Sequence, residues 1–150
     1  MARTWVVATA VFLADFFTKG YLRAQLPFQS IPVIKNIFHI TLVFNQGAAF
    51  GILQKSTSFL IYASIVFILI FFILIKKENK KSKLFLVACG LIVGGALSNL
   101  WDRLHLGYVV DYIDFRIWPV FNISDACITI GVCLLLWESY RGCKRIKSDT

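Results

Sequence analysis

Apolar residues gather in four long runs separated by polar segments. Residues 56 to 75, STSFLIYASIVFILIFFILI, contain no ionisable side chain, and at about 1.5 Å per residue a helix of this length crosses the roughly 30 Å hydrocarbon core of a bilayer. Residues 4 to 22 are apolar apart from Asp15 and Lys19. Residues 84 to 102 are apolar until Asp102, and residues 121 to 138 carry Asp125 near their start. The pattern predicts a mainly α membrane protein with transmembrane helices over 4–22, 56–75, 84–102 and 121–138, in one integral domain over 1–150. Between the first two runs, HITLVFNQGAAFGIL (39 to 53) is β-branched and aromatic ahead of Asn45-Gln46-Gly47. This predicts a short strand, a turn and an apolar return, a small β-containing segment outside the bilayer. Asn45 and Gly47 suit the turn itself, while the following apolar residues also suit contact with lipid or an acylated ligand.

Composition agrees. Hydrophobic residues make up 58% of the 150 residues, against roughly 45–50% in soluble domains, which leaves too little polar surface for a water-facing fold of this size. The first run follows Arg3 as a secretory signal would, but it runs into ADFFTKGYLR without a small-residue cleavage site, so a retained helix is expected. Net charge is +8, and nine of the 16 Lys and Arg residues lie in two places: Lys76, Lys77, Lys80, Lys81 and Lys83, and then Arg141, Lys144, Arg145 and Lys147. The positive-inside rule puts both groups, and with four spans both termini, in the cytoplasm. Segments 23–55 and 103–120 then lie outside. These cations suit anionic lipid headgroups; nucleic acid is not an expected partner, because no folded basic domain remains to bind it. Cys89, Cys127 and Cys133 fall within predicted spans and Cys143 in the tail; without a C-x-x-C pair they read as small core residues.

Ionisable residues in such a chain are functional candidates by default. Asp15, Thr18 and Lys19 stand at i, i+3 and i+4, on one helix face that must turn inward, where Asp15 and Lys19 either neutralise each other or serve a site. Asn99, Asp102 and Arg103 repeat that spacing at the outer end of the third helix, and Gly90 and Gly94 before them suit close helix packing. Asp111 lies in the short outer connection. Asn122 is a candidate N-cap that would place Asp125 in the first turn of the fourth helix. Only 13 residues separate Asp111 from Asp125, so the two carboxylates can meet near the outer membrane face. Forced together they cannot both ionise cheaply, and they share a proton, which provides a base for water and an acid for a carbonyl oxygen. Asp114, without an Asn companion, is expected to be a solvated rim residue. His39 and His105 are isolated, so neither a metal nor another cofactor is expected.

The blocks DFFTK (15 to 19), NQGAAFG (45 to 51), GGALSNLWDR (94 to 103), VVDYIDF (109 to 115) and FNISDA (121 to 126) resemble, in order, those of the bacterial lipoprotein signal peptidases, or signal peptidase II. The resemblance runs from about residue 12 to residue 135. It implies an aspartic endopeptidase of the bacterial cytoplasmic membrane, active near the extracytoplasmic face, that removes signal peptides from prolipoproteins just before a diacylglyceryl-modified cysteine. It implies Asp111 and Asp125 as the catalytic pair, with Asp15, Asn45, Asn99, Arg103 and Asn122 lining or supporting the substrate site. Lys19 and Gly47 fall within the same blocks and are counted with them. Asp102 is expected to support structure. Ser98 and Ser124 stand where the family frequently has Gly and Ala, and the connection from Asp111 to Asp125 is short. A monomer in contact with membrane lipids and lipidated precursors is expected.

Two other classes fit the residues alone. A transporter or proton-conducting subunit would place carboxylates along a path across the membrane, but the second helix has no ionisable residue and the acids cluster at one face. An assembly factor whose aspartates only pair helices would not need Asn beside two separated Asp positions at one depth.

Overall fold

The computed structural model describes residues 2–26, 30–47, 56–77 and 82–148, with side chains to residue 141. The order of elements is α1 (Ala2–Gln25), β1 (Ser30–Ile34), β2 (Phe38–Asn45), α2 (Thr57–Lys77), α3 (Lys83–Leu106), β3 (Val109–Asp114) and α4 (Ile123–Ser148). All four helices are long and apolar enough to cross a membrane, and the chain is a multi-pass membrane protein. The helices differ from their expected bounds by a few residues at most ends, and capping explains α3. The Ser82 side chain accepts from the Phe85 N–H at 3.0 Å and starts it. Gly107, left-handed at φ 81°, ends it by donating its N–H to the Arg103 carbonyl, a backbone conformation glycine adopts without penalty. α4 runs on to Ser148, well past residue 138.

α3 is the centre of the bundle. Half of its most apolar stretch is buried, against 11% for α2 and α4, so the other helices turn broad apolar faces such as Phe59, Tyr62, Val66 and Leu136 outward, toward lipid. Close approach depends on glycines. A Cβ on Gly94 would lie 2.5 Å from the Ala8 carbonyl oxygen, and one on Gly95 would lie 2.6 Å from that of Ser124. α1 and α4 therefore pack with their backbones almost touching α3, the small-residue packing that replaces a hydrophobic driving force in lipid. Gly90 behaves as its spacing suggested, meeting Val7 and the Thr4 carbonyl. The cysteines do not all follow expectation: Cys89 is buried and Cys127 half-buried, but Cys133 is exposed, because its position on α4 faces away from α3.

The three strands form one antiparallel sheet in the order β1-β2-β3. β2 is the strand expected before Asn45, but its partners are β1 and β3; the expected apolar return, 48 to 53, lies outside the described residues. β3 corrects the expectation of a plain connection between the third and fourth helices. It is buried along both faces, so it lacks the alternation of polar and apolar residues that marks a half-exposed strand. Its register sets Asp111 opposite Val43 and Asp114 opposite His39.

Gly94→Ala should lower the melting temperature of the detergent-solubilised protein, since the methyl group meets the α1 backbone, a cost of about 1–3 kcal/mol for overpacking. Gly20→Ala, where nothing lies within 4 Å, should leave it unchanged or raise it. Equal effects of the two substitutions in thermal unfolding would contradict the packing described.

Candidate active site

At the end of the bundle where α3 stops and α4 starts, polar side chains from α1, α3, α4, β2 and β3 converge. Asp15 is fully buried. Its Oδ2 accepts from Lys19 Nζ at 2.6 Å and from the Ser98 and Ser124 hydroxyls at 2.7 Å each; its Oδ1 accepts from the Ser124 N–H at 3.3 Å and Tyr112 Oη at 3.4 Å. Lys19 also reaches Asp102 Oδ2 at 2.9 Å and donates to Asn99 Oδ1 at 3.0 Å. Asp102 in turn accepts the Val110 N–H at 3.2 Å, which ties the start of β3 to α3, in keeping with the structural part expected of it. Thr18 shares the face only partly, its hydroxyl turning back to the Ala14 carbonyl.

Asp111 and Asp125 are joined through Asn122. As the N-cap of α4, Asn122 accepts the Asp125 N–H on Oδ1 at 2.9 Å while Asp125 Oδ2 accepts the Asn122 N–H at 3.3 Å, the reciprocal pattern of a capping box. The same amide donates through Nδ2 to Asp111 Oδ1 at 2.7 Å. The second oxygen of Asp111 accepts from Asn45 Nδ2 at 2.9 Å, and Asp125 Oδ1 accepts from Asn99 Nδ2 at 2.8 Å. Each carboxylate thus receives one donor on each oxygen. Arg103 lies within electrostatic reach of Asp125, Asp111 and Asp102 and donates to the Gly47 carbonyl at 3.4 Å. Gly47 is held by its own N–H, bonded to Asn45 Oδ1 at 2.9 Å.

The Asp111 carboxyl is pushed from the ordinary 3.8 up to about 7, first because burial penalises its anion and then because the Asp125 charge lies close; amide donation from Asn45 and Asn122 offsets part of this. Near neutral pH the pair therefore offers a proton-holding group beside another carboxylate, the equipment of general acid–base chemistry. The Tyr112 hydroxyl is pushed up as well, by burial and then by Asp15.

The structure brings every expected site residue into this one network: Asp15, Lys19, Asn45, Gly47, Asn99, Asp102, Arg103, Asp111, Asn122 and Asp125. Asp114 is a correction. It is not a solvated rim residue but 5% exposed, accepting from Thr41 Oγ1 at 2.8 Å and from the Arg116 N–H at 2.8 Å and Nη1 at 3.1 Å. Its β3 position faces β2 instead of water. Sequence reasoning also missed Ser98, Ser124 and Tyr112 as supports of Asp15. The two serines had drawn notice only as departures from a family pattern, and both turn out to donate to one carboxylate oxygen.

A bundle of membrane-crossing helices with an amide-bridged carboxylate pair at one end, Asp111 buried and Asp125 half-buried, defines a multi-pass membrane protein equipped for acid–base catalysis. Residues 7–141 match the family model described as signal peptidase (SPase) II, and the chain belongs to that family of membrane proteases. It is 47% identical over 135 residues to a lipoprotein signal peptidase of Caldanaerobacter subterraneus, covering 87% of this chain and 90% of that one. It is 43% identical over 138 residues to one of Halothermothrix orenii, covering 89% and 94%. A solved structure described as a bacterial membrane enzyme superposes with a TM-score of 0.90 at 31% identity, covering 97% of this chain and 92% of that one.

Because the folded state holds the Asp111 proton to about pH 7 and an unfolded chain releases it near 3.8, the native state binds more protons between those values. The stabilisation is complete below about 3.8 and disappears as pH rises through about 7. Thermal stability in detergent should therefore fall across this window, and Asp111→Asn should flatten the fall. An unchanged slope in the variant would show that Asp111 is not the group responsible.

Proposed function

We propose that this chain is an aspartic endopeptidase that removes signal peptides from lipid-modified lipoprotein precursors, cleaving just before the lipidated cysteine, with Asp111 and Asp125 as the catalytic pair. The observation that carries the reading is the Asn122 bridge: a single amide bonds to Asp111 and caps the backbone at Asp125, fixing a buried and a half-buried carboxyl group as neighbours. In this reading the ionised member takes a proton from water, the hydroxide attacks the scissile carbonyl carbon, and the protonated member donates to its oxygen. The proton taken from water then passes to the amine nitrogen as the C–N bond breaks, the other carboxylate takes a proton back from a hydroxyl of the tetrahedral intermediate as the carbonyl re-forms, and the pair returns to its starting state. Lipoprotein signal peptidases among the relatives, at over 40% identity along most of the chain, support the substrate class.

Orientation follows from charge. α2 ends on Lys76 and Lys77 and α3 begins at Lys83, and Asn99 lies 16 residues farther along α3, about 24 Å away by helical rise. With the lysines in the cytoplasm, the carboxylate pair sits near the extracytoplasmic face of the bacterial cytoplasmic membrane. There a precursor's acyl chains can stay in lipid while its peptide bond reaches the pair. A monomer suffices for this reading, since each oxygen of the pair already has a donor from the same chain. In this reading Arg103 and Gly47, joined by a hydrogen bond beside the pair, meet the substrate.

Asp111→Asn and Asp125→Asn should each lower cleavage of a lipidated precursor by purified enzyme by about 10³-fold or more, since either removes a catalytic group, while thermal unfolding still shows a folded protein. Asp114→Asn should alter turnover only a few-fold and instead cost about 1 kcal/mol of stability through its bonds to Thr41 and Arg116. Near-parental cleavage by either of the first two variants would remove the pair from the mechanism. In a variant without native cysteines, Lys35→Cys should react with a membrane-impermeant thiol reagent applied to intact cells and Lys83→Cys should not; the reverse pattern would invert the topology.

A further inference from the structure

Charge neutralisation explains only part of what Lys19 does. Its ammonium carries three N–H bonds and meets three acceptors: Asp15 Oδ2 at 2.6 Å, Asp102 Oδ2 at 2.9 Å and Asn99 Oδ1 at 3.0 Å. An ammonium has no lone pair, so it dictates which end of the Asn99 amide may face it. Asn122 Nδ2, 3.2 Å from the same oxygen, imposes the same choice. Turning the Asn99 amide over would set its NH2 against two donors and its oxygen against the Asp125 carboxylate. Three favourable contacts would become three repulsive ones.

We propose that Lys19 is a positioning residue that locks the polarity of the Asn99 amide, so that Asn99 Nδ2 always donates to Asp125 Oδ1. Ser98 and Ser124 hold the lock closed by anchoring Asp15, each giving its one O–H to Asp15 Oδ2. The chain of action runs from α1 to the reacting groups in three links: Asp15 fixes Lys19, Lys19 fixes Asn99, and Asn99 sets one donor on Asp125. Asn122 needs no such lock, because the Asp125 N–H of its own cap already occupies its oxygen and turns its NH2 to Asp111. The two amides that touch the pair are thus oriented by different means, one by a helix cap and one by a buried cation. This inference rests on the reading of Asp111 and Asp125 as the catalytic pair.

A double-mutant cycle tests it, with kcat, KM and the pH dependence of kcat measured on a lipidated precursor in detergent. Lys19→Met should lower kcat about tenfold or more and Asn99→Ala by a similar factor, with KM moving less than about twofold; the two together should be no worse than the poorer single variant, since both remove one interaction. Both should displace the pH profile of kcat in the same direction. Losses that multiply would overturn the lock, for Lys19 would then act independently of Asn99. Lys19→Met also strands two buried carboxylates, a change that can unfold a protein, so Ser98→Ala combined with Ser124→Ala, which alters no charge, gives a second cycle. That pair should lower kcat several-fold in the parental protein and have no further effect on kcat or its pH profile with Asn99→Ala present; an equal loss in both backgrounds would overturn the proposal. Asp125→Asn in the same assay separates the two levels: parental turnover there would defeat the catalytic pair itself, whereas its collapse alongside multiplicative cycles would defeat only the lock.

Discussion

Taking a carboxylate and an ammonium out of water costs several kcal/mol per ion, and their mutual attraction offsets this only where the remaining lone pairs and protons also find partners. Asp15 and Lys19 meet that condition in full. Both are almost completely buried, and between them they engage Ser98, Asn99 and Asp102 on α3, Tyr112 on β3 and Ser124 on α4. The arrangement of the bundle around α3 is therefore the arrangement in which these two ions are satisfied. A shift of α1 along α3 by one helical turn would part Lys19 from Asn99 and Asp102 and leave a buried ammonium short of its acceptors. In lipid, where hydrophobic contact distinguishes poorly between one helix packing and another, such a requirement selects the register.

The glycines and the charges act together. Gly94 and Gly95 let α1 and α4 approach α3 until backbone atoms nearly touch, and that closeness brings side chains as short as Ser98 and Ser124 within 2.7 Å of one Asp15 oxygen. The same packing seats the first turn of α4 against the C-terminal half of α3, where Asn99 reaches Asp125. Structural economy and chemistry coincide at Asn122: its backbone and side-chain oxygen complete a helix cap, and its side-chain NH2 serves Asp111 and Asn99. Asp111 keeps its proton to about pH 7 because β3 buries it beside Asp125. A strand buried on both faces is the means by which a carboxyl group at the end of the bundle is kept from water.

Much of this was legible in the order of residues. The four helices follow from apolar runs that only a bilayer can accommodate, and the polar exceptions within them, being expensive there, point to the site before any coordinates are known. The i, i+4 spacing of Asp15 and Lys19 sets them on one face where they can pair, and the Asn122-to-Asp125 spacing contains the cap. What a one-dimensional pattern cannot hold is the partner across the bundle. β3 carries no alternation because both its faces are covered, so neither the strand nor the burial of Asp114 has a local signature. Ser98 and Ser124 look like ordinary small residues, and their part arises only when two helices place them on one oxygen of a third. The sequence by itself determined that these charges must be buried and where they stand along each helix, because hydropathy and helical periodicity are local properties of the chain. Only the tertiary structure decided which donor meets which acceptor, and so which way each amide faces the carboxylate pair, because that depends on distances of a few tenths of an ångström between elements far apart in the chain.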